Sequence, residues 1–90
     1  MKKYSIISMY SSYDYHNNYF RNTLKDICIY KEDKNDEIDF LICGPFINQN
    51  DYNFIENKKC IKILYITEPI EINKPYNLCY TLYKKKRLII

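Results

Sequence analysis

The sequence predicts an α/β domain, specifically a three-layer Rossmann-like sandwich whose mostly parallel sheet has about four to six short strands. Two observations support this prediction. Apolar runs rich in Ile and Leu alternate with amphipathic helical stretches, which is typical of strand–helix–strand units. The runs IDFLIC (38–43) and CIKILYI (60–66) are also nearly continuous in apolar character, as expected of strands that are covered on both faces.

The length and charge of the chain restrict its function. Its 90 residues fit one small domain, 1–90, and the apolar end Leu88–Ile90 predicts the N-terminal part of a longer protein or a truncated remnant. The net charge of the chain, +3, is mild. The basic cluster Lys84–Arg87 is predicted to be a solvated turn between strands. Nucleic-acid binding is therefore not favoured. No apolar run approaches the roughly 18 residues of a membrane span.

The cysteines and the glycine exclude several kinds of site. Cys28, Cys43, Cys60 and Cys79 form no C-x-x-C pair, and the chain has one histidine, so we expect neither a metal nor a cofactor. Reduced, buried cysteines are the preferred interpretation over a disulfide framework, and they suggest a reducing compartment such as the cytoplasm. A single glycine, Gly44, is incompatible with the Gly-rich dinucleotide motif and the P-loop, which need several.

The first half of the chain is predicted as strand, loop, helix and strand. A strand at Lys3–Met9 leads into a polar, aromatic loop, Tyr10–Asn18, and then into a helix at 18–26 that Asn17 or Asn18 can cap. The predicted apolar stripe of this helix comprises Tyr19, Phe20, Thr23, Leu24 and Ile27. A short strand follows at 27–30, and a charged loop at 31–37.

The second half repeats this alternation. A strand at 38–43 ends at Gly44-Pro45, and a helix at 48–58 begins near Asn50 or Asp51, with Tyr52, Ile55 and Phe54 facing inward. The remaining predictions are a central strand at 60–66, an irregular connection at 70–76, a strand at 78–83 and the start of another apolar run at 88–90.

Two stretches carry candidate site residues. Glu68 follows the central strand in the corner Thr67-Glu68-Pro69, and open α/β sheets bind ligands just beyond the carboxyl ends of their strands. A surface turn is the alternative interpretation of Glu68. In the loop 10–18, His16 lies close in sequence to Asp14; an acid/base pair and a loop that caps the next helix both remain open.

The central strand also resembles a known family. Ile61–Glu68, followed by Asn77–Cys79, is similar to the N-terminal domain of α-1,3-fucosyltransferases of glycosyltransferase family 10. In that family a strand ends in a Tyr-Thr-Gly-Glu-Asn type motif, and a later stretch reads Asn-Leu-(Cys or Phe)-Asp-Tyr-Ala. Asp39–Phe46 is similar to the preceding family strand. This chain departs from the family at Thr67-Glu68-Pro69 and at Tyr80-Thr81.

The resemblance implies an acceptor-side domain, half of a GT-B-type architecture, in an inverting sugar transferase. Glu68 would be the general base that takes the proton from the acceptor hydroxyl, since an apolar wall raises a carboxyl pKa toward the working pH. The loop 10–16 and the connection 71–76 would frame the acceptor. The implied substrate-binding residues are Tyr13, Tyr15, His16 and Tyr76.

The resemblance also implies the partners. They are a glycan acceptor and either the family's C-terminal donor domain, which binds GDP-fucose, or a partner chain that covers the apolar C-terminal edge. The 90 residues alone are expected to transfer no sugar, because the resemblance does not reach the donor domain. The alternative function is a small α/β protein-interaction module whose Ile- and Tyr-rich edge pairs with a partner or with itself.

Overall fold

A computed structural model of the chain describes residues 1–66, 78–81 and 86–89, with side chains described as far as Tyr65. The elements in chain order are β1 (Lys2–Ile7), α1 (Tyr19–Leu24), β2 (Cys28–Tyr30), β3 (Phe40–Cys43), α2 (Gln49–Asn57), β4 (Ile61–Ile66), β5 (Leu78–Thr81) and β6 (Lys86–Ile89).

The strands form one six-stranded sheet in the order β2-β1-β3-β4-β5-β6. Every neighbouring pair from β2 to β5 is parallel, and β6 pairs antiparallel with β5 at the edge. The predicted α/β class and mostly parallel sheet are therefore confirmed. The central strands β3 and β4 fall on the apolar runs that indicated burial on both faces.

Helices cover both faces of the sheet, which gives the three layers. Successive residues of β1 point to opposite faces. Tyr4 and Ile6 join the cluster that Phe20 and Leu24 of α1 cover. Ile7 joins a second cluster, which contains Ile55 of α2.

Helix α1 is shorter than the sequence predicted, at six residues. Asn18 caps it as expected, because its side-chain Oδ1 accepts the Arg21 N–H at 3.0 Å. Only part of the predicted stripe packs on the core: Phe20 and Leu24 do, but Tyr19 is 62% exposed and Ile27 is 63% exposed. Ile27 lies beyond the last helical residue, so the 3.6-residue period no longer places it on the packed face.

Helix α2 is close to its predicted range, but its cap is Asn48 and not Asn50 or Asp51. Asn48 Oδ1 accepts the Asp51 N–H at 2.8 Å, which places Asp51 in the first turn. Ile55 is buried and Phe54 packs against the same cluster, as predicted. Tyr52 is half-buried.

The predicted basic turn requires a partial correction. Lys86 and Arg87 belong to strand β6, where they pair with Thr81 and Tyr80, because the antiparallel pairing with β5 begins there. Residues 84–85 lie outside the described residues, as does the predicted irregular connection at 70–76.

The cysteines whose side chains are described are free, as the sequence predicted. These are Cys28, Cys43 and Cys60. The predicted burial holds for Cys43, whereas Cys28 and Cys60 are only half-buried. Cys43 is fully buried in the cluster under α2, and this burial raises the pKa of its thiol. Within the described ranges, no group of His, Cys, Asp or Glu is arranged to hold a metal ion, and no helix is long and apolar enough to cross a bilayer.

Candidate functional site

The strand order indicates one edge of the sheet as the candidate site. From β1 the chain passes to β2 on one side, and from β3 it passes to β4 on the other side. The two connecting helices consequently lie on opposite faces of the sheet. In doubly wound sheets the space outside the carboxyl ends of two such strands forms a crevice. Doubly wound sheets bind their ligands at such a reversal of strand order.

The ends of β1 and β3 are held together tightly at this crevice. The Gly44 N–H donates to the Ile7 carbonyl at 2.8 Å, and the Phe46 N–H donates to the Ser8 carbonyl at 3.0 Å. A Cβ atom on Gly44 would lie 2.4 Å from the Ser8 carbonyl oxygen and 2.9 Å from Met9 Cα. Glycine is therefore required for the close approach that places Phe46 beside Ser8.

Ser8 has an unusual backbone conformation. Its φ is +66°, the one positive φ at a non-glycine residue in the part of the chain that is described. The residue is 5% exposed, and its Oγ donates to Asp51 Oδ2 of α2 at 2.9 Å. Left-handed conformations in residues other than Gly, Asn and Asp are costly and concentrate at functional sites.

A group of four rings, which we call the aromatic corner, borders the same edge and consists of Tyr10, Tyr13, Tyr15 and Phe46. The Tyr10 ring is nearly perpendicular to that of Tyr13 at 5.4 Å and to that of Phe46 at 6.5 Å, between centroids. Tyr10 is 51% exposed and Phe46 is 60% exposed. The aromatic corner thus has two largely exposed residues, and the backbone of one of them, Phe46, is hydrogen-bonded to Ser8.

Tyr13 and Tyr15 anchor the aromatic corner to the sheet. Their rings meet at 5.1 Å, and both pack against the cluster under α1. The Tyr15 hydroxyl accepts the Met9 N–H at 3.2 Å, which fixes the beginning of the loop after β1. Burial, with a smaller contribution from neighbouring tyrosines, raises the pKa of the Tyr13 hydroxyl.

His16 is separated from this arrangement. Its Nε2 lies 3.8 Å from the Glu32 carboxylate, and both side chains are largely exposed. Asp14 Oδ1 accepts the backbone N–H groups of His16 and Asn17. Asp14 therefore orders the loop ahead of α1, while the His16 ring borders an open cavity of about 330 Å³ that also contacts Arg21.

Two of the sequence-predicted site residues, Glu68 and Tyr76, lie outside the described residues. Three residues that the sequence analysis did not single out, Ser8, Phe46 and Asp51, lie at the crevice. Ser8 follows β1, Phe46 follows β3, and Asp51 lies in the first turn of α2. Once the strand order is known, residues just beyond the carboxyl ends of these strands are the expected site residues.

No protein-family model matches the chain, and neither the curated proteins nor the solved structures contain a match.

The positive φ of Ser8 gives a testable prediction about stability. Ser8→Gly and Ser8→Ala both remove the hydroxyl, but only alanine retains a Cβ in the left-handed conformation. We expect Ser8→Gly to be more stable than Ser8→Ala by about 1 kcal/mol in urea unfolding. Equal stability, or a more stable alanine variant, would show that the left-handed backbone at Ser8 carries no strain.

Proposed function

We propose that this chain is the acceptor-side domain of a fucosyltransferase-like glycosyltransferase, which binds a glycan and presents one of its hydroxyls for inverting transfer. The observation that carries the proposal is the aromatic corner, with Tyr10 and Phe46 exposed at the strand-order reversal of a doubly wound sheet.

The chemistry of the crevice suits a sugar. A pyranose ring has apolar C–H faces and a rim of hydroxyls, so it needs flat apolar surfaces next to a few hydrogen-bonding groups. The exposed rings of Tyr10 and Phe46 supply the surfaces. The Ser8–Asp51 pair supplies polar groups at the same edge.

The proposed general base is Glu68, as the family resemblance implies. β4 runs parallel to β3 and ends at Ile66. The chain therefore leaves β4 at the same edge of the sheet as it leaves β1 and β3. This direction supports a carboxylate near the bound acceptor hydroxyl, where it would take the proton as the oxygen attacks the anomeric carbon.

An NMR titration of the 90-residue chain tests the proposal. The ligands are N-acetyllactosamine, which contains both galactose and N-acetylglucosamine, together with GDP and GDP-fucose. We expect the sugar to shift the amides of the loop 10–16 and of 44–51, and GDP to shift none of them. Shifts from GDP alone, or no shift from any ligand in a folded protein, would contradict an acceptor domain.

A specific observation favours the second candidate function, a protein-interaction module. β2 is an edge strand. Ile29 within this strand is 39% exposed, and Ile27, which directly precedes the strand, is 63% exposed. Unpaired edges with apolar side chains are where proteins add strands from partners.

Sedimentation velocity over a hundredfold concentration range separates the two functions. Self-association that Ile29→Lys abolishes would favour the module, and a monomer throughout would count against it.

A further inference from the structure

We propose that the cavity lined by α1 and β2 binds a small organic monocarboxylate, with the Arg21 guanidinium as the main contact of the carboxylate group. This site goes beyond the proposed function, because it recognises a negative charge and its lining does not include the rings of the aromatic corner. The helix contributes Arg21, Asn22 and its C-cap Lys25 to the lining, and the strands contribute Tyr4, Cys28 and Tyr30.

The cavity has the size of a site for a small ligand. Its volume is about 330 Å³, at the lower end of the roughly 300–1,000 Å³ that is typical of such sites. Tyr4 and Tyr30 are neighbours in the register of β1 and β2, and their rings meet at 5.4 Å. Together with Cys28 they provide a wall for the carbon frame of a ligand, while α1 provides polar groups.

The Arg21 side chain is held in a defined position at this cavity. Its Nη1 donates to the Tyr15 carbonyl at 3.0 Å, and its guanidinium carbon lies 3.9 Å from the centroid of the Tyr30 ring. The residue is half-buried. A guanidinium fixed in this way loses less conformational freedom when its planar fork binds a carboxylate.

The positive charge of Arg21 has no anionic partner in the part of the chain that is described. A guanidinium carries several N–H donors, and the bond to Tyr15 is the one hydrogen bond that the Arg21 side chain makes to described residues. Neither Arg21 nor Lys25 takes part in an ion pair among these residues. A half-buried, unpaired guanidinium that lines a cavity can form charge-assisted hydrogen bonds with an entering anion.

The charge of Arg21 acts on other residues of the cavity wall. Burial raises the pKa of Tyr4 and of Tyr30, and the positive charge of Arg21 has the opposite influence on both hydroxyls. A negative group bound in the same cavity would lie within the field of the same guanidinium.

The surrounding charges favour an anion with a single negative charge. Two carboxylates lie close to His16, which also lines the cavity: Glu32 is 3.8 Å from its Nε2, and Asp14 accepts its backbone N–H. They partly balance the positive charges of Arg21 and Lys25. The cavity therefore suits the one charge of a carboxylate better than the roughly two charges of a phosphate monoester.

An NMR titration of the chain with benzoate tests the proposal, and benzamide, which has the same shape without the charge, is the matched ligand. We expect benzoate to shift the amides of 21–30 and to leave those of 44–51 unchanged. We expect it to bind about tenfold or more tightly than benzamide, because charge-assisted hydrogen bonds are the stronger ones.

The variants assign the binding to the cavity. Arg21→Gln should weaken benzoate binding about tenfold or more. Lys59→Gln changes the net charge equally, but at an exposed lysine outside the cavity, and should bind as the wild type does. Urea unfolding checks that each variant is folded. Should Arg21→Gln fail to fold, Lys25→Gln at an exposed position replaces it, with an expected loss of about twofold to fivefold, as for an exposed ion pair.

Several results would overturn the proposal. These are the absence of shifts at 21–30 in the folded wild type, equal affinities for benzoate and benzamide, or undiminished benzoate binding by a folded Arg21→Gln or, in its place, Lys25→Gln. Tighter binding of phenyl phosphate than of benzoate would overturn the monocarboxylate class. N-acetyllactosamine binding at the aromatic corner is decided by other amides and other variants, so this inference and the proposed function can fail separately.

Discussion

Replacing Gly44 with alanine is expected to destabilise the protein by about 3 kcal/mol or more, which is among the larger effects of a single methyl group. The added Cβ would meet the Ser8 carbonyl oxygen at 2.4 Å and Met9 Sδ at 2.7 Å. A sulfur at the end of a flexible side chain can move away, but a backbone carbonyl that holds the Phe46 N–H cannot do so without separating the ends of β1 and β3.

Urea unfolding followed by circular dichroism measures this effect. Ser12→Ala, an exposed change in the neighbouring loop, is the control and should stay within about 0.5 kcal/mol of the wild type. A Gly44→Ala variant as stable as this control would show that the two strand ends are not as close as described, and the crevice built on them would have to be abandoned.

The second large effect is expected at Ile55. It is 0% exposed and is the buried residue of α2, packed among Leu41, Cys43 and Leu64. Truncation to alanine removes three buried carbons and leaves a cavity, at a cost of about 2–5 kcal/mol, and Ile55→Val should cost about 0.5–1.5 kcal/mol.

The same unfolding experiment distinguishes packing from helix propensity. Glu56 is next to Ile55 in the sequence and is exposed on α2. Glu56→Ala should change the free energy of unfolding little, because alanine favours the helix. If Ile55→Ala were no worse than Glu56→Ala, α2 would not cover the sheet face as described.

The pattern of apolar residues along the chain accounts for the parts of the fold that the sequence could predict. The apolar runs of β3 and β4 are continuous because both faces of these strands are covered, and this pattern is readable without a structure. Ile55 was predictable from a different pattern, the helical spacing that places it with Tyr52 on the inward side of α2. The α1 stripe was over-predicted because the spacing rule assumes that the helix continues, whereas this helix ends at Leu24 before reaching Ile27.

The candidate site was less predictable because it depends on contacts between distant parts of the chain. Ser8 and Asp51 are 43 residues apart, and nothing local in either stretch specifies that β1 and β3 are neighbours. The positive φ of Ser8 was also hidden, since serine is not a residue type that indicates a left-handed backbone. Tyr13 and Tyr15 were candidates because the family resemblance implied a site in the loop 10–16, but the separation of His16 from them required the structure.

The proposed function requires that the exposed rings of the aromatic corner bind a sugar. The most direct test is the affinity of the double variant Tyr10→Ala/Phe46→Ala for N-acetyllactosamine, with Tyr19→Ala as the matched control. Tyr19 is also largely exposed but lies on α1. We predict that the double variant loses about tenfold or more in affinity, since exposed aromatic anchors dominate such sites, while Tyr19→Ala binds as the wild type does. Equal affinities for the wild type and a folded double variant would contradict the proposed sugar site.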